Sequence, residues 1–198
     1  MDPNNSMFVD QYTRYTVYHG VNAVYKIFPF SPNLVEYSTN YSLTDHDLLN
    51  LKNWGMNVIR LHAAWEGIEP EKGVYNYTYV EIIRDIVRKC NKFGIMVLLD
   101  AHQDLFLKQF CGEGLPVWVA KRETFPAPLK IKLRYDDQGF PLREDCLKIP
   151  FSQFYLTYDI MKLQRDLFTN QRGLLDHLSK VWEILSAYMS DEPNLIGY

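Results

Sequence analysis

Asn53-Trp54-Gly55-Met56-Asn57-Val58-Ile59-Arg60-Leu61 and Lys92-Phe93-Gly94-Ile95-Met96-Val97-Leu98-Leu99 are the stretches that decide the fold. Each runs from an aromatic residue through a helix-ending glycine into a short apolar strand. Upstream of the first, 42–54 read as a helix, with Thr44 as cap, Asp47 three residues on, and Leu48, Leu49 and Leu51 as apolar positions. Upstream of the second, Tyr79, Ile82, Ile83, Ile86, Val87, Cys90 and Phe93 recur at helical spacing over 78–93. A third unit follows near the end of the chain. Leu174, Leu178, Val181, Trp182, Leu185 and Met189 mark its helix, Asp191-Glu192-Pro193 breaks it, and 194–198 begin another strand. An earlier strand is expected within 15–25. Repeated units of this kind, with strands apolar on both faces, predict an α/β fold whose parallel sheet is covered by helices.

Composition narrows the class. The chain has 198 residues, 47% of them hydrophobic and 15% aromatic, which excludes a disordered polymer. Its 10 Gly and 10 Pro show no period, which excludes collagen-like sequence. A balance of 21 Lys+Arg against 24 Asp+Glu gives no field for nucleic acid. No apolar run approaches the roughly 20 residues that span a bilayer. The first residues lack the basic and apolar segments of a signal peptide. Sequons at Asn4, Asn40 and Asn76 are compatible with secretion. Three cysteines cannot all pair within the chain. Cys90 lies on an apolar helix face and reads as a buried thiol. Cys111 and Cys146 either bridge, which implies an oxidising compartment, or stay free.

Between the second and third units, about 102–158 form an irregular stretch holding Gly112, Gly114, Pro116, Pro126, Pro128, Gly139, Pro141 and Pro150. It follows the C-terminal end of a strand, where α/β folds carry their sites. Arg60 interrupts an apolar strand, so it is either half of an internal salt bridge or a site-lining residue. Asp100, His102 and Asp104 alternate and could converge on a metal. Against that, His19, His46, His62 and His177 have no ligand spacing. Trp65 and Trp118 follow strands, where stacking on a sugar and plain packing are alternatives. Trp54 and Trp182 sit at core spacing. Lys26, just past the first strand, reads by default as a solvated lysine.

His19-Gly20-Val21-Asn22, Val24-Tyr25-Lys26 and 54–61 together resemble glycoside hydrolase family 5, and most closely its endoglycoceramidase branch. Trp65-Glu66-Gly67-Ile68-Glu69-Pro70, Gly73-Val74-Tyr75-Asn76, Asp100-Ala101-His102-Gln103-Asp104 and Phe110-Cys111-Gly112-Glu113-Gly114-Leu115-Pro116 strengthen the resemblance, which runs from about Phe8 to Tyr198. It implies a (β/α)8 TIM barrel, here incomplete, with roughly the first four strands and a long loop after the third. It implies retaining hydrolysis of β-glycosidic bonds without metal or other cofactor, with a glycosphingolipid or another β-glycoside as substrate. The long loop and 110–116 favour the glycan–ceramide branch over cellulases and mannanases. By the resemblance, Lys26 and Asp104 bind sugar, His102 contacts it at the scissile bond, and Arg60 supports the catalytic carboxylates. Trp118 is a further subsite residue inferred from its loop.

Retaining hydrolysis needs two carboxyl groups about 5–5.5 Å apart. The family's acid/base lies in an Asn-Glu-Pro motif beyond the strand at 194–198, and its nucleophile lies further on. Glu192-Pro193 precedes that strand and is not this motif, and Glu66, Glu69 and Glu113 are not the catalytic pair but shape loops or pair with Arg and Lys. The whole of 1–198 is therefore expected to be the N-terminal part of one catalytic domain, inactive alone. The alternatives are a non-catalytic carbohydrate-binding protein of the same fold and a metal-dependent barrel hydrolase. A lipid substrate is met at a membrane surface, so peripheral contact is expected, though no amphipathic anchor stands out. No obligate protein partner is evident. Family relatives suggest a secreted or lytic setting.

Overall fold

Both aromatic-glycine stretches end a helix and open a strand in the computed structural model, which describes residues 2, 6–10, 12–120 and 132–198. Asn4 of the first sequon, and Pro126 and Pro128 of the long segment, lie outside the described residues. In chain order the strands are β1 (Phe8–Val9), β2 (Tyr15–Thr16), β3 (Gly20–Ala23), β4 (Val58–His62), β5 (Met96–Asp100) and β6 (Leu195–Gly197). The helices are α1 (Asp45–Asn53), α2 (Trp65–Ile68), α3 (Tyr77–Lys92), α4 (Arg143–Cys146), α5 (Phe151–Phe154), α6 (Tyr158–Phe168) and α7 (Leu174–Met189).

Local chemistry sets the helix ends. Thr44 and Asp47 form a reciprocal capping box at the start of α1, and the Asn76 side chain accepts from Tyr79 N at the start of α3. Gly55 and Gly94 follow the two helices at φ 80° and 72°, the left-handed region where a side chain is strained. The chain then enters β4 and β5. Strands β3, β4, β5 and β6 lie side by side in that order, all parallel. Asn22 pairs in register with Arg60, and Arg60 with Leu98, so these residues share one face of the sheet.

The expected strand at 15–25 divides in two. β2 pairs antiparallel with β1, whereas β3 joins the main sheet. Asn57 explains the break: its side chain accepts from His19 N and donates to Val17 O, so these backbone groups bond a side chain rather than a strand.

Burial divides the sheet by face. Ile59, Leu61, Val97 and Leu99 are buried, in one core with Leu48 and Leu51 of α1, Ile83, Ile86 and Val87 of α3, and Val181 and Leu185 of α7. Each such side chain contributes about 1.5–3 kcal/mol relative to exposure. The other face, with Val58, Arg60, Met96, Leu98 and Asp100, is only half-buried. Among the described residues the helices pack on one face of the sheet.

Glu192 has a structural task. Its carboxylate accepts from Arg84 Nε at 2.7 Å and Arg88 Nε at 2.8 Å, tying the turn before β6 to α3. Asn194 donates to Val87 O and Ile95 O and completes that junction. Cys90 is buried, and burial pushes its thiol up to about 12. Trp54 differs from expectation: as the C-cap of α1 it is 68% exposed, because the helix turns its last residue away from the core. Trp182 packs against the core as its spacing indicates. Among the described residues no helix is long and apolar enough to cross a membrane.

Candidate functional site

The half-buried face of the sheet carries a continuous row of charges at the C-terminal strand ends. Arg60 of β4 places Nη2 2.7 Å from Asp100 Oδ2 at the end of β5. His102, two residues on, places Nδ1 3.2 Å from the same oxygen and Nε2 3.0 Å from Asp104 Oδ2. Asp104 also accepts from Lys26 Nζ, which donates in turn to Glu113 Oε1 at 2.6 Å. The order is Arg60, Asp100, His102, Asp104, Lys26, Glu113, with cation and carboxylate alternating around the imidazole. The two contacts on Asp100 Oδ2 lack the alignment of hydrogen bonds, and the one from Arg60 is a charge pair.

Backbone geometry holds the row in place. Lys26 follows β3, and His102 and Asp104 follow β5, so both segments emerge at one end of a parallel sheet. Asp104 and Glu113 exchange both backbone hydrogen bonds, Asp104 N to Glu113 O at 2.9 Å and the reverse at 2.7 Å. Gly112 permits this approach, since a Cβ there would sit 2.2 Å from Asp104 O. A disulfide joins the neighbouring Cys111 to Cys146.

These contacts set the protonation states. Burial alone would push the Asp104 carboxyl up, but hydrogen bonds from Lys26 and His102 outweigh it and hold it below the ordinary carboxylate range. Burial would push Lys26 down, but its bonds to Asp104 and Glu113 leave it above the usual lysine value. Beside His102, His62 is 2% exposed with the ring centroids 6.0 Å apart. Burial pushes it down to about 4.

The structure therefore brings Lys26, Arg60, His102 and Asp104 together, whereas the contacts of Trp118 are with other residues. Trp118 Nε1 donates to Glu69 O, and its ring lies edge-on against Trp65 and His177. Trp65 is buried and donates to Glu69 Oε2. In both tryptophans the indole N–H is already engaged by Glu69, and Trp65 is buried. The Asp100/His102/Asp104 triplet does converge, but on Arg60 and Lys26. Among the described residues no cluster of three or more His, Cys, Asp or Glu could hold a metal. Cations already occupy these acceptors.

The family model for cellulase, glycosyl hydrolase family 5, matches residues 19–133. The chain belongs to glycosyl hydrolase family 5. An endoglycoceramidase of Hydra vulgaris is 35% identical over all of this chain and 39% of its own length. One of Cyanea nozakii is 35% identical over all of this chain and 40% of its own. This family 5 chain thus spans about two fifths of the length of these curated relatives. Endo-glycoceramidase II from Rhodococcus sp. superposes with a TM-score of 0.67 at 22% identity, covering 96% of this chain and 40% of that one. An endogalactoceramidase gives 0.68 at 21%, covering 96% and 41%. That likeness shows the fold: the four parallel strands are part of a (β/α)8 barrel.

Two residues beside these four were not placed there by the sequence, Glu113, which pairs with Lys26, and His62, which neighbours His102. Glu113 carried a signal, since Gly112 and Gly114 flank it and mark a close backbone approach. His62 carried none, being one of several scattered histidines. Glu66 pairs with Lys108 at 3.1 Å, and Glu69 is fully buried with Trp65, Gly73 and His177, so both shape loops as expected.

Proposed function

We propose that this chain supplies the sugar-binding part of a retaining endo-β-glycosidase that cuts glycosphingolipids between glycan and ceramide. Lys26 and Asp104 hold a sugar ring, His102 contacts it at the scissile bond, and Arg60 supports the catalytic carboxylates. The reading rests on one observation, the alternating row of charges at the strand ends. Such a row offers donors and acceptors together on a half-exposed face, which is what a ring of hydroxyls needs. The names of the Hydra and Cyanea relatives agree with it, as does a complex of the Rhodococcus protein with ganglioside GM3.

The acid/base and the nucleophile belong, on this proposal, outside these 198 residues, which form the N-terminal part of one catalytic domain. Each carboxylate in the row already faces a cation or imidazole, and Asp104 is held anionic, so none is suited to protonate a leaving group. A glycan on ceramide is met at a bilayer. Ile27 and Phe28, 56% and 81% exposed beside Lys26, offer apolar contact there. The Cys111–Cys146 bridge suits a secreted or lytic compartment.

The test is incubation of the 198-residue polypeptide with ganglioside GM3, alongside a lactose-binding measurement. Binding without release of the glycan is expected. Release by this chain alone would contradict the assignment of the carboxylates, and absence of binding would contradict the site. Binding without turnover by the complete gene product would favour the non-catalytic sugar-binding alternative.

A further inference from the structure

The least expected feature of the row is its end, where two carboxylates stand opposite each other across a β-bridge with one ammonium between them. Like charges directly opposite across paired backbone destabilise a fold. Lys26 offsets the repulsion, yet a structural bridge between 104 and 113 needs neither acid. The backbone bonds, Gly112 and the disulfide already hold it.

Counting donors and acceptors shows what the arrangement leaves over. A lysine ammonium has three N–H donors. Asp104 and Glu113 take two, leaving one. Asp104 uses Oδ2 for both Lys26 and His102, and Glu113 uses Oε1 for Lys26. Neither Asp104 Oδ1 nor Glu113 Oε2 accepts a hydrogen bond among the described residues. Side-chain exposures of 39%, 26% and 23% for Lys26, Asp104 and Glu113 leave all three within reach of a ligand. One donor flanked by two charged acceptors matches two adjacent hydroxyls, each of which donates once and accepts.

We propose that Glu113 is itself a sugar-contacting residue, reading with Lys26 and Asp104 two adjacent hydroxyls of one pyranose ring. This deepens the sugar-binding reading above and rests on it. One hydroxyl donates to Asp104 Oδ1 and its neighbour to Glu113 Oε2, while Lys26 donates its third N–H to the pair. Glu113 thereby makes the site selective for rings that present both hydroxyls.

The experiment is titration of the full chain with lactose, and with the set of monodeoxy lactosides, for the native protein and Glu113→Gln. Glu113→Gln should bind lactose about 10-fold more weakly, the size expected for losing a charge-assisted hydrogen bond. It should bind one particular monodeoxy lactoside no worse than the native chain does, because the hydroxyl it would have met is gone. Unchanged lactose affinity overturns the proposal. So does a loss of equal size for every deoxy sugar, which would mean that Glu113 only braces Lys26. If Glu113→Gln fails to fold, Glu113→Asp carries the same comparison through its shorter arm. Failure of the native chain to bind lactose overturns the sugar-binding reading itself, whereas native binding with an indifferent Glu113 overturns this inference alone.

Discussion

Lowering the pH from 7 to 4 should destabilise this protein through His62, and the structure says by how much. His62 Nδ1 lies 3.1 Å from Tyr25 O. A carbonyl only accepts, so Nδ1 carries the proton and Nε2 the lone pair. Nε2 is buried and has no partner among the described residues. A second proton there would put an imidazolium N–H where nothing accepts it, beside His102 and near Lys26. Burial, opposed by the Tyr25 bond and aided by those two neighbours, brings the folded value down to about 4 from an ordinary 6.5. The unfolded chain then binds the extra proton before the folded one does. Stability is complete above about pH 6.5 and is lost as pH falls toward 4, in total by about 3 kcal/mol. Asp104, held below the ordinary carboxylate range, gives up its contribution only at lower pH. Urea unfolding at steps between pH 7 and 4, on the native chain and His62→Asn, isolates the effect. The variant keeps a donor for Tyr25 O and should lose the dependence in this window. Parallel pH profiles for the two proteins, or an NMR titration of His62 near 6.5, would refute the reasoning.

The Cys111–Cys146 bridge closes a loop with a sequence separation of 35, and its removal by Cys146→Ser should cost about 4 kcal/mol, lowering Tm by roughly 8–16 °C; three free thiols in the unreduced, denatured protein would show that the bridge does not form. Glu69 is fully buried and accepts from Trp65 Nε1 at 2.9 Å, Gly73 N at 2.8 Å and His177 Nδ1 at 2.6 Å. Glu69→Ala strands all three donors and should cost about 3–5 kcal/mol by chemical denaturation, with an effect below 1 kcal/mol counting against this hub. Lys26→Met removes the cation between Asp104 and Glu113, so lactose binding should fall at least about 10-fold; a variant that binds as well as the native chain would exclude Lys26 from the site.

Features set by neighbours in the chain were legible beforehand. Thr44 with Asp47, the two aromatic-glycine helix ends, and the apolar stripe that buries Cys90 all depend on residues within one or two turns. The resemblance then named four residues that the fold brings together at one sheet end. Contacts made across the fold were not legible. Lys26 and Asp104 are 78 residues apart, and Glu113 meets Lys26 across 87, so no local pattern announces the row. Asn57 divides the early strand by reaching back about 40 residues to Val17 and His19. Trp118 makes contacts of the same long-range kind, its N–H reaching Glu69 O 49 residues away and its ring lying edge-on to His177. Charged residues on a sheet face read as costly in isolation, and only their partners show them as a site.

The most direct measurement follows backbone amide and side-chain NMR signals of the chain as lactose is added. The account predicts shifts confined to Lys26, Arg60, His102, Asp104 and Glu113 and their immediate neighbours. Shifts centred instead on the cleft of about 450 Å³ between Lys162, Arg165 and Arg172, or none at all, would contradict it.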